Sequence, residues 1–437
     1  MSIPTLQGLQ TALSGLLADQ QAIDVTGHNI TNANTPGYSR QVAVLQTNDP
    51  MRIAALSPTD GEGGQLGTGV SVATYMRIRN TYLDAQYRTQ NASLGSATTQ
   101  ANELQQAQSA FDEPSTAGLA TQLSAFWSAW GELANMPASE AAKVAVVSSG
   151  TQLADTLNQV SAQLQTIEAQ AAQQYSAITG SSGEVQSDGS QIAQLNEQIK
   201  LSLLARQQPN DLEDRRDLLV DKLSELANVT VTRESDGTDT ITFGNAAKPL
   251  VEGAKVDWPQ VLTSAAGGKL GALLGLSGPE GAIAGYRTAL DGVAATLAET
   301  VNGLHTSTPF FSGNTAATIA VAVTPSQVQT AEPANPGGNE VARAIAALRG
   351  GTAEQGYAAL IARIGSDVKS AQSNETNSQA VVTALSEQRQ SVSGVSLDEE
   401  MTNLVTFQRG YQASARALTS MDEMLDTLIN HTGAVGL

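Results

Sequence analysis

Apolar residues recur near both ends of the chain on alternating three- and four-residue steps. Near the start they are Leu6, Leu9, Leu13, Leu16, Ile23 and Ile30, with Gln20 and Gly27 at the remaining seam positions. A heptad stripe of this kind keeps one side of an α-helix turned toward a partner over many turns. Pro4 suits a first turn, Ser2 a cap, and the cluster Thr31-Asn32-Ala33-Asn34-Thr35-Pro36-Gly37 a stop, so the spacing predicts a helix over about residues 4 to 31. Near the other end Leu397, Met401, Leu404, Tyr411, Leu418, Leu425 and Ile429 keep the same spacing, with Gln408, Ala415 and Asp422 at the weaker positions. This helix opens on Ser396-Leu397-Asp398-Glu399, a capping-box pattern in which the serine oxygen and the glutamate carboxylate each satisfy an orphan amide. It is expected to stop at Gly433.

The pattern changes between these ends. Val42 and Val44 mark a short extended segment within Tyr38 to Gln46, and Val70, Val72 and Thr74 alternate as a second strand. The glycine-rich run at residues 61 to 69 between them reads as a flexible loop. A helix is expected from about Asn80 to Phe111. Residues 112 to 228 then read as an antiparallel array of helices broken at Pro114, at Met136-Pro137, around Gly180 to Gly189, and at Pro209. Val229, Val231, Ile241 and Phe243 alternate with polar residues around Ser235-Asp236-Gly237, a hairpin signal. Beyond a glycine-rich segment at about 267 to 281 come a helix from about Gly285 to His305 and a Pro/Gly-containing region from Thr306 to Gly338, with a strand candidate at Thr318 to Thr324. No proline occurs from Ala371 onward, which suits two long helices separated near Gly394.

The 437 residues suffice for roughly two to three domains with sizeable cores. Acidic residues number 42 against 23 basic ones, a net charge of −19 that repels phosphate backbones and anionic lipid, so neither nucleic acid nor a membrane surface is an expected partner. The absence of cysteine removes disulfides, thiolate zinc sites and thiol nucleophiles. The first residues carry no basic n-region, continuous apolar h-region or small-residue cleavage site, so a Sec signal is not expected, and no stretch of 18 apolar residues suggests a span.

Candidate chemistry is sparse. His28, His305 and His431 are far apart and lack metal-ligand spacing, and the glycine-rich run lacks the lysine and hydroxyl of a phosphate loop. No catalytic residue, metal or cofactor is expected. Phe126, Trp127 and Trp130 sit at helical spacing and read as core. The acids of Asp211-Leu212-Glu213-Asp214-Arg215-Arg216-Asp217 follow Pro209-Asn210 and read as a charged helix start, with Asp211 paired to Arg215.

Two segments carry a resemblance. Asn29-Ile30-Thr31-Asn32-Ala33-Asn34-Thr35-Pro36-Gly37-Tyr38-Ser39-Arg40-Gln41 resembles the signature of bacterial flagellar axial proteins, with Thr31 where that family is expected to have Ala. Leu404-Val405-Thr406-Phe407-Gln408-Arg409-Gly410-Tyr411-Gln412-Ala413-Ser414-Ala415-Arg416 resembles its C-terminal counterpart. Within that family, Phe126 to Ala134 and Pro209 to Asp217 resemble the hook-associated protein 1 pattern. The resemblance implies export through the flagellar type III channel without a cleaved signal and an extracellular place at the hook–filament junction. It also implies a homo-oligomeric ring whose neighbours are the hook protein and hook-associated protein 3, and an export chaperone covering the C-terminal helix. Many relatives of that family carry an added outer domain near residues 306 to 351, and at this chain's length a large one is not expected here.

The expected fold is mainly α: a terminal coiled-coil-like polymerisation domain from residues 1–79 with 396–437, and an elongated helical-bundle domain, 80–395. Small β elements lie near 228–262, and an irregular or β region near 306–338. An unpartnered amphipathic helix is marginal, so the terminal stripes are expected to fold fully only on assembly and to form the assembly interface. The other readings are another axial subunit, either hook-associated protein 3 or a rod or hook protein, and, remotely, a secreted hydrolase using paired carboxylates.

Overall fold

A computed structural model describes residues 4–52, 65–335 and 337–431. Helix α1 (Pro4–Asn32) leads through the Pro-Gly turn into β1 (Gln41–Thr47), the short strands β2 (Met51–Arg52) and β3 (Gln65–Leu66), and β4 (Val70–Arg77). β1 and β4 pair antiparallel, from Gln41 opposite Arg77 to Thr47 opposite Val70, with an irregularity at Val44/Leu45. Then follow α2 (Thr81–Ala110), α3 (Leu119–Asn135), α4 (Glu140–Thr179), α5 (Glu184–Leu204) and α6 (Asn210–Leu226). Strands β5 (Val229–Arg233), β6 (Asp239–Phe243), β7 (Val251–Glu252) and β8 (Lys255–Val256) form a four-stranded sheet in chain order. The chain continues through α7 (Gly268–Ser277), α8 (Ala282–Leu304), β9 (Phe311–Ser312), β10 (Ala320–Val321), α9 (Glu340–Ala346), α10 (Thr352–Ser393) and α11 (Leu397–Asp426), then a last turn at Thr427–His431.

The helix boundaries follow local chemistry. Asn80 caps α2 by accepting from the amides of Tyr82 and Leu83, and Ser139 caps α4 by accepting from Ala142. Pro137 and the Gly180–Gly183 turn separate α3, α4 and α5, while Gly189 lies inside α5 rather than in the break. The glycine-rich segment at 267 to 281 is not a plain connector. It contains α7, whose Leu270, Leu273 and Leu276 are buried, because their three-residue spacing supplies a core face despite the glycines. The strand expected over Thr318 to Thr324 shrinks to Ala320–Val321, since Pro325 opens a 3-10 turn. The stop expected at Gly433 and the cap expected at Ser2 lie outside the described residues, as do residues 61–64 of the glycine-rich run.

Two cores hold the central elements. The larger lies among α2, α3, α4, α8, α9 and α10, and is filled by Phe126, Trp127, Trp130, Tyr286, Phe310 and Phe311. Phe126 stands edge-on to Trp130 with ring centroids 6.3 Å apart, and Phe310 is edge-on to Phe311 at 4.9 Å. The second core packs α5, α6 and α7 on the β5–β8 sheet through Ile192, Val220, Leu223, Ile241, Phe243 and Leu270. Arg216 is fully buried there: its Nη1 donates to Asn196 Oδ1 at 2.8 Å and to the Gly237 carbonyl at 2.9 Å, and its Nε lies 3.0 Å from Asp239 Oδ2. That last contact is an ion pair without hydrogen-bond alignment.

Trp130 is 0% exposed, so Trp130→Ala is expected to lower the unfolding free energy by about 3 to 5 kcal/mol in urea titration. Tyr82→Ala, at a residue 69% exposed, is expected to change it by less than about 0.5 kcal/mol.

Candidate assembly site

Helices α1 and α11 lie side by side and antiparallel. Gly8 sits against Met421, Gly15 against Ser414, Asp19 against Gly410, and Asn29 against Glu400, so each step along α1 is matched by an equal step back along α11. Small residues make this approach possible: a Cβ on Gly8 would come 2.9 Å from the Met421 methyl, and one on Gly410 would come 2.7 Å from the Asp19 carboxylate. On α1 the buried positions are Gln7, Ala18, Ala22, Thr26 and Asn29 rather than leucines. The Asp19 carboxyl, desolvated beside Gly410, is pushed above the usual range.

The leucine stripes therefore do not interlock within one chain. Leu9, Leu16, Ile23 and Ile30 are half-buried and Leu13 is 42% exposed, while the Leu6 side chain lies outside the described part. On α11, Leu404, Leu418 and Leu425 are half-buried, but Leu397 (51%), Met401 (52%), Tyr411 (37%) and Ile429 (75%) are exposed. Glu400 is the single fully buried residue of α11. The physical reason is competition for the seam: glycine, alanine, serine and threonine let the two backbones come close, and the larger side chains are rotated off it.

The base of the pair is a polar knot built by the N-terminal motif. Gly37 turns the chain at φ 79°, where a Cβ would also lie 3.1 Å from Leu218 Cβ, so the position suits only glycine. Asn34, Thr35 and Pro36 form the exposed turn. Tyr38 then folds back, its hydroxyl donating to Asn29 Oδ1 at 2.8 Å and its ring standing edge-on to His28. Asn29 also accepts from the Gln41 amide at 2.9 Å, and its Nδ2 donates to the Gln41 carbonyl at 2.8 Å and to Glu400 Oε2 at 3.1 Å. Arg40 Nε donates to Glu400 at 2.7 Å and Nη2 to Glu399 at 2.9 Å. Glu399 thus serves a guanidinium, and Ser396 caps α11 without a side-chain bond, so the expected capping box does not form. Phe407, half-buried, and Gln408, exposed, stand farther along α11 and take no part in this knot. Tyr38 ionises only far above its ordinary value, through desolvation and the nearby carboxylates of Asp211, Asp214 and Glu400.

Helix α6 receives the knot. The Ser39 amide donates to Asp214 Oδ2 at 2.9 Å, and Gln41 Nε2 donates to Asp211 Oδ1 at 2.8 Å, with His28 Nε2 at 3.3 Å from the same oxygen. Asp211 therefore pairs away from its own helix, not with Arg215. Along the same face Arg77 reaches Glu213 at 2.5 Å, Asp214 at 2.7 Å and Asp217 at 3.0 Å; Arg79 reaches Asp217 at 2.9 Å; and Arg88 reaches Asp221 at 2.7 Å. Arg389 of α10 closes the row on Asp84 at 2.9 Å and Asp221 at 2.8 Å. Desolvation pushes the Asp217 carboxyl up, but Arg79, Arg77 and Arg88 together reverse this and hold it well below the usual range. At Asp214 desolvation outweighs Arg77 and the Ser39 amide, and the carboxyl lies above that range. These acids are mostly buried and paired rather than solvated, which corrects the expectation of a plain charged helix start. Arg77, Arg79, Arg88, Arg389 and Glu400 were not singled out from the sequence, and Arg40 was quoted only as part of the N-terminal signature. The usable signal was the three- and four-residue spacing of Asp214, Asp217 and Asp221, which puts them on one face of α6.

A cavity of about 720 Å³ opens beside this row, lined by Arg77, Arg79, Arg88, Asp84, Asp217 and Arg233. Its charges are engaged with one another, which leaves no unpaired acid and base to share a substrate. Among the described residues no group of three or more His, Asp or Glu side chains could hold a metal. His305 is buried and donates or accepts only structurally, with Nε2 accepting from the Gln329 amide at 2.8 Å and its pKa lowered by desolvation. The His431 side chain lies outside the described part. No helix among the described residues is long and apolar enough to cross a membrane.

Comparisons with known proteins fall on the same elements. Residues 9–38 match the family model described as flagella basal body rod protein, and residues 386–431 match the flagellar basal body rod FlgEFG protein C-terminal model. Both segments place the chain among the flagellar axial subunits. Residues 104–264 match the flagellar hook-associated protein FlgK helical domain. The chain is 30% identical to flagellar hook-associated protein 1 of Bacillus subtilis over 99% of both chains. It is 32% identical to the protein of that name from Salmonella typhimurium over 56% of this chain and 42% of the relative, so it spans less than half of that longer relative. The flagellar hook junction protein FlgK from Burkholderia pseudomallei matches 51% of this chain and 43% of that one at 27% identity, with a TM-score of 0.43. This chain belongs to the flagellar hook-associated protein 1 family and is a component of the bacterial flagellum.

The arginine row predicts a pH signature. Because the Asp217 pKa is lower folded than unfolded, its stabilisation is complete above the unfolded value, about 4, and is lost as the pH falls through the folded one. Asp214 works in the opposite sense: its raised value is a cost at neutral pH that is relieved on acidification. Asp217→Asn is expected to cost about 3 to 5 kcal/mol at pH 7 in urea titration. Its deficit against the parent chain is expected to shrink steadily below about pH 4.

Proposed function

We infer that this chain is a structural subunit that polymerises at the distal end of the hook and forms the junction with the filament. The observation that carries the reading is the meeting of the two rod-type segments, 9–38 and 386–431, in one antiparallel helix pair, joined at its base by the Asn29–Glu400 bond and tied through Ser39 and Gln41 to α6 of a FlgK-type helical body. In this reading residues 1–79 with 396–437 are the polymerisation domain and residues 80–395 the body that stands outside it. The assembly interface comprises Leu6, Leu9, Leu13, Leu16, Ile23 and Ile30 on α1, and Leu397, Met401, Leu404, Tyr411, Leu418, Leu425 and Ile429 on α11.

The partners are further copies of the chain in a ring, the hook protein below and hook-associated protein 3 above. An export chaperone covers α11 before secretion, a role that suits a helix whose Leu397, Met401 and Val405 are exposed. Export proceeds through the flagellar type III channel without a cleaved signal. The subunit acts by position and not by catalysis, since hydrolysis requires a carboxylic acid and a carboxylate free to meet a substrate. Asp214 and Asp217, the most perturbed carboxylates of α6, are instead held by arginines.

Deleting the gene in the source bacterium is expected to leave completed hooks without filaments and to release filament monomer into the medium. Attached filaments in the deletion strain would end the reading. On soluble monomer, hydrogen exchange is expected to find weak protection over residues 4 to 31 and 396 to 430, because α11 buries only Glu400, and strong protection in the body. Equal protection of both would contradict folding on assembly.

A further inference from the structure

A smaller cavity, of about 370 Å³, opens in the body where α2 runs past the last turn of α6 and the first turn of α7. Unlike the arginine-lined one, it holds charges that are not paired with each other. Its walls include Glu103 and Asn102 of α2, Gln174 of α4, Glu225 of α6, Lys269 of α7 and Gln379 of α10. Glu103 is 3% exposed; its Oε1 accepts from Gln174 Nε2 at 3.3 Å, while its Oε2 has no hydrogen-bond partner. Desolvation raises the Glu103 pKa above its usual range, against the opposing pull of Gln174 and Lys269. Among the described residues, neither Glu225 nor Lys269 has an ion-pair or side-chain hydrogen-bond partner.

Local sequence explains how these groups come together without neutralising one another. A Cβ on Gly95 would run into the Glu225 carbonyl, so α2 and α6 approach at a glycine. Gly267, at φ 69°, turns the chain into α7 and puts Lys269 in its first turn. A lysine there adds to the positive end of the helix, which is unfavourable unless an anion faces it. A buried carboxylate with an unfilled oxygen is unfavourable unless a donor meets it. One guest with a cationic donor at one end and an anionic acceptor at the other relieves both. A metal ion relieves only the acids and is repelled by Lys269, and the walls supply two carboxylates against that one ammonium.

We propose that this pocket binds a free α-amino acid in its zwitterionic form, with the ammonium donating to Glu103 Oε2 and Glu225 and the carboxylate lying against Lys269. The volume falls in the ordinary range for small-molecule sites and leaves room for a side chain beyond the two charged groups. Gln379 spends its Nε2 on Thr383, which leaves its Oε1 as an acceptor, and Asn102 offers a second amide; both favour a polar side chain. The site lies in the body and is independent of the junction reading, since assembly by the terminal helices does not require it to be filled.

The test is titration calorimetry on the full-length chain at pH 7 with L-glutamine as the probe, beside butylamine and butyrate, which each carry one of its two charges. L-Glutamine is expected to bind with a Kd of about 1 mM or tighter, and each single-charge probe at least about tenfold more weakly. Glu103→Gln and Lys269→Gln are each expected to weaken L-glutamine at least about tenfold. Lys248→Gln, at an exposed lysine paired with Asp257, is expected to leave it unchanged. Glu103→Gln keeps the shape of the side chain and removes a desolvated charge, and Lys269 is half-buried, so the melting curve of each variant is expected to show a folded chain. The proposal is overturned if L-glutamine gives no heat of binding up to about tenfold above that concentration. It is equally overturned if butylamine binds as tightly as L-glutamine with Lys269→Gln without effect, which makes the pocket an amine site only, or if binding survives both substitutions in folded protein.

Discussion

Burying charge is expensive, yet Arg77, Arg79 and Arg88 are withdrawn from water together with Asp84, Asp214 and Asp217 where β4, α2 and α6 meet. Removing one partner from such a row leaves its neighbour unpaired in low dielectric, so the members hold one another in place. A greasy contact would tolerate sliding, but a guanidinium bridging Glu213, Asp214 and Asp217 fixes the rotation of α6 and its level against β4. Everything at the chain ends is referred to that helix. Ser39 and Gln41 bond to its first two turns from the N-terminal side, and Arg389 bonds to its later turns from α10, which leads into α11. Both terminal helices thus take their direction from one acidic row.

The long helices were legible in the sequence because periodicity and caps are local. Asn80, Pro137 and Gly394 mark ends that the structure keeps within a few residues. The acidic row was legible only as a helix start, since acids in a first turn satisfy the dipole whether or not anything else binds them. Its true partners, at 77, 79, 88 and 389, come from other elements, and no local rule joins them. Ser396 and Glu399 failed as a capping box for the same reason: Arg40, distant in sequence, offers Glu399 a stronger charge-assisted bond than a backbone amide does. Helix α7 is hard to see in the sequence because the glycines at 267, 268, 271 and 275 mask the three-residue period of Leu270, Leu273 and Leu276.

The heptad stripes show a subtler limit. Spacing says which residues share a face, but not which partner that face meets. On α1 two faces were available, one leucine-rich and one of glycine, alanine and threonine. Close approach of α11 uses the second, with Gly8, Gly15 and Gly410 at the contacts. Dispersion favours this choice locally, because backbones that nearly touch make many short contacts. It also leaves the larger side chains unmatched.

That division has an energetic consequence for a chain designed to be a monomer first and a polymer later. Fixing each residue costs on the order of 1 to 2 kcal/mol, and a fully buried leucine returns about 1.5 to 3, so a helix as thinly covered as α11 recovers little by itself. The polar knot at Asn29 and Glu400 therefore anchors only the base of the pair. Toward the free end, away from α6, α1 is held by thinner contacts, such as Gly8 on Met421 and the Val70 amide donating to Ser14 Oγ. A neighbour that covered Leu13, Leu17, Met401 and Val405 would supply the missing burial, and the order of the helices would rise with each copy added. Stability that grows with assembly in this way lets the same termini be pliant before incorporation and rigid after it, with α6 setting their direction throughout.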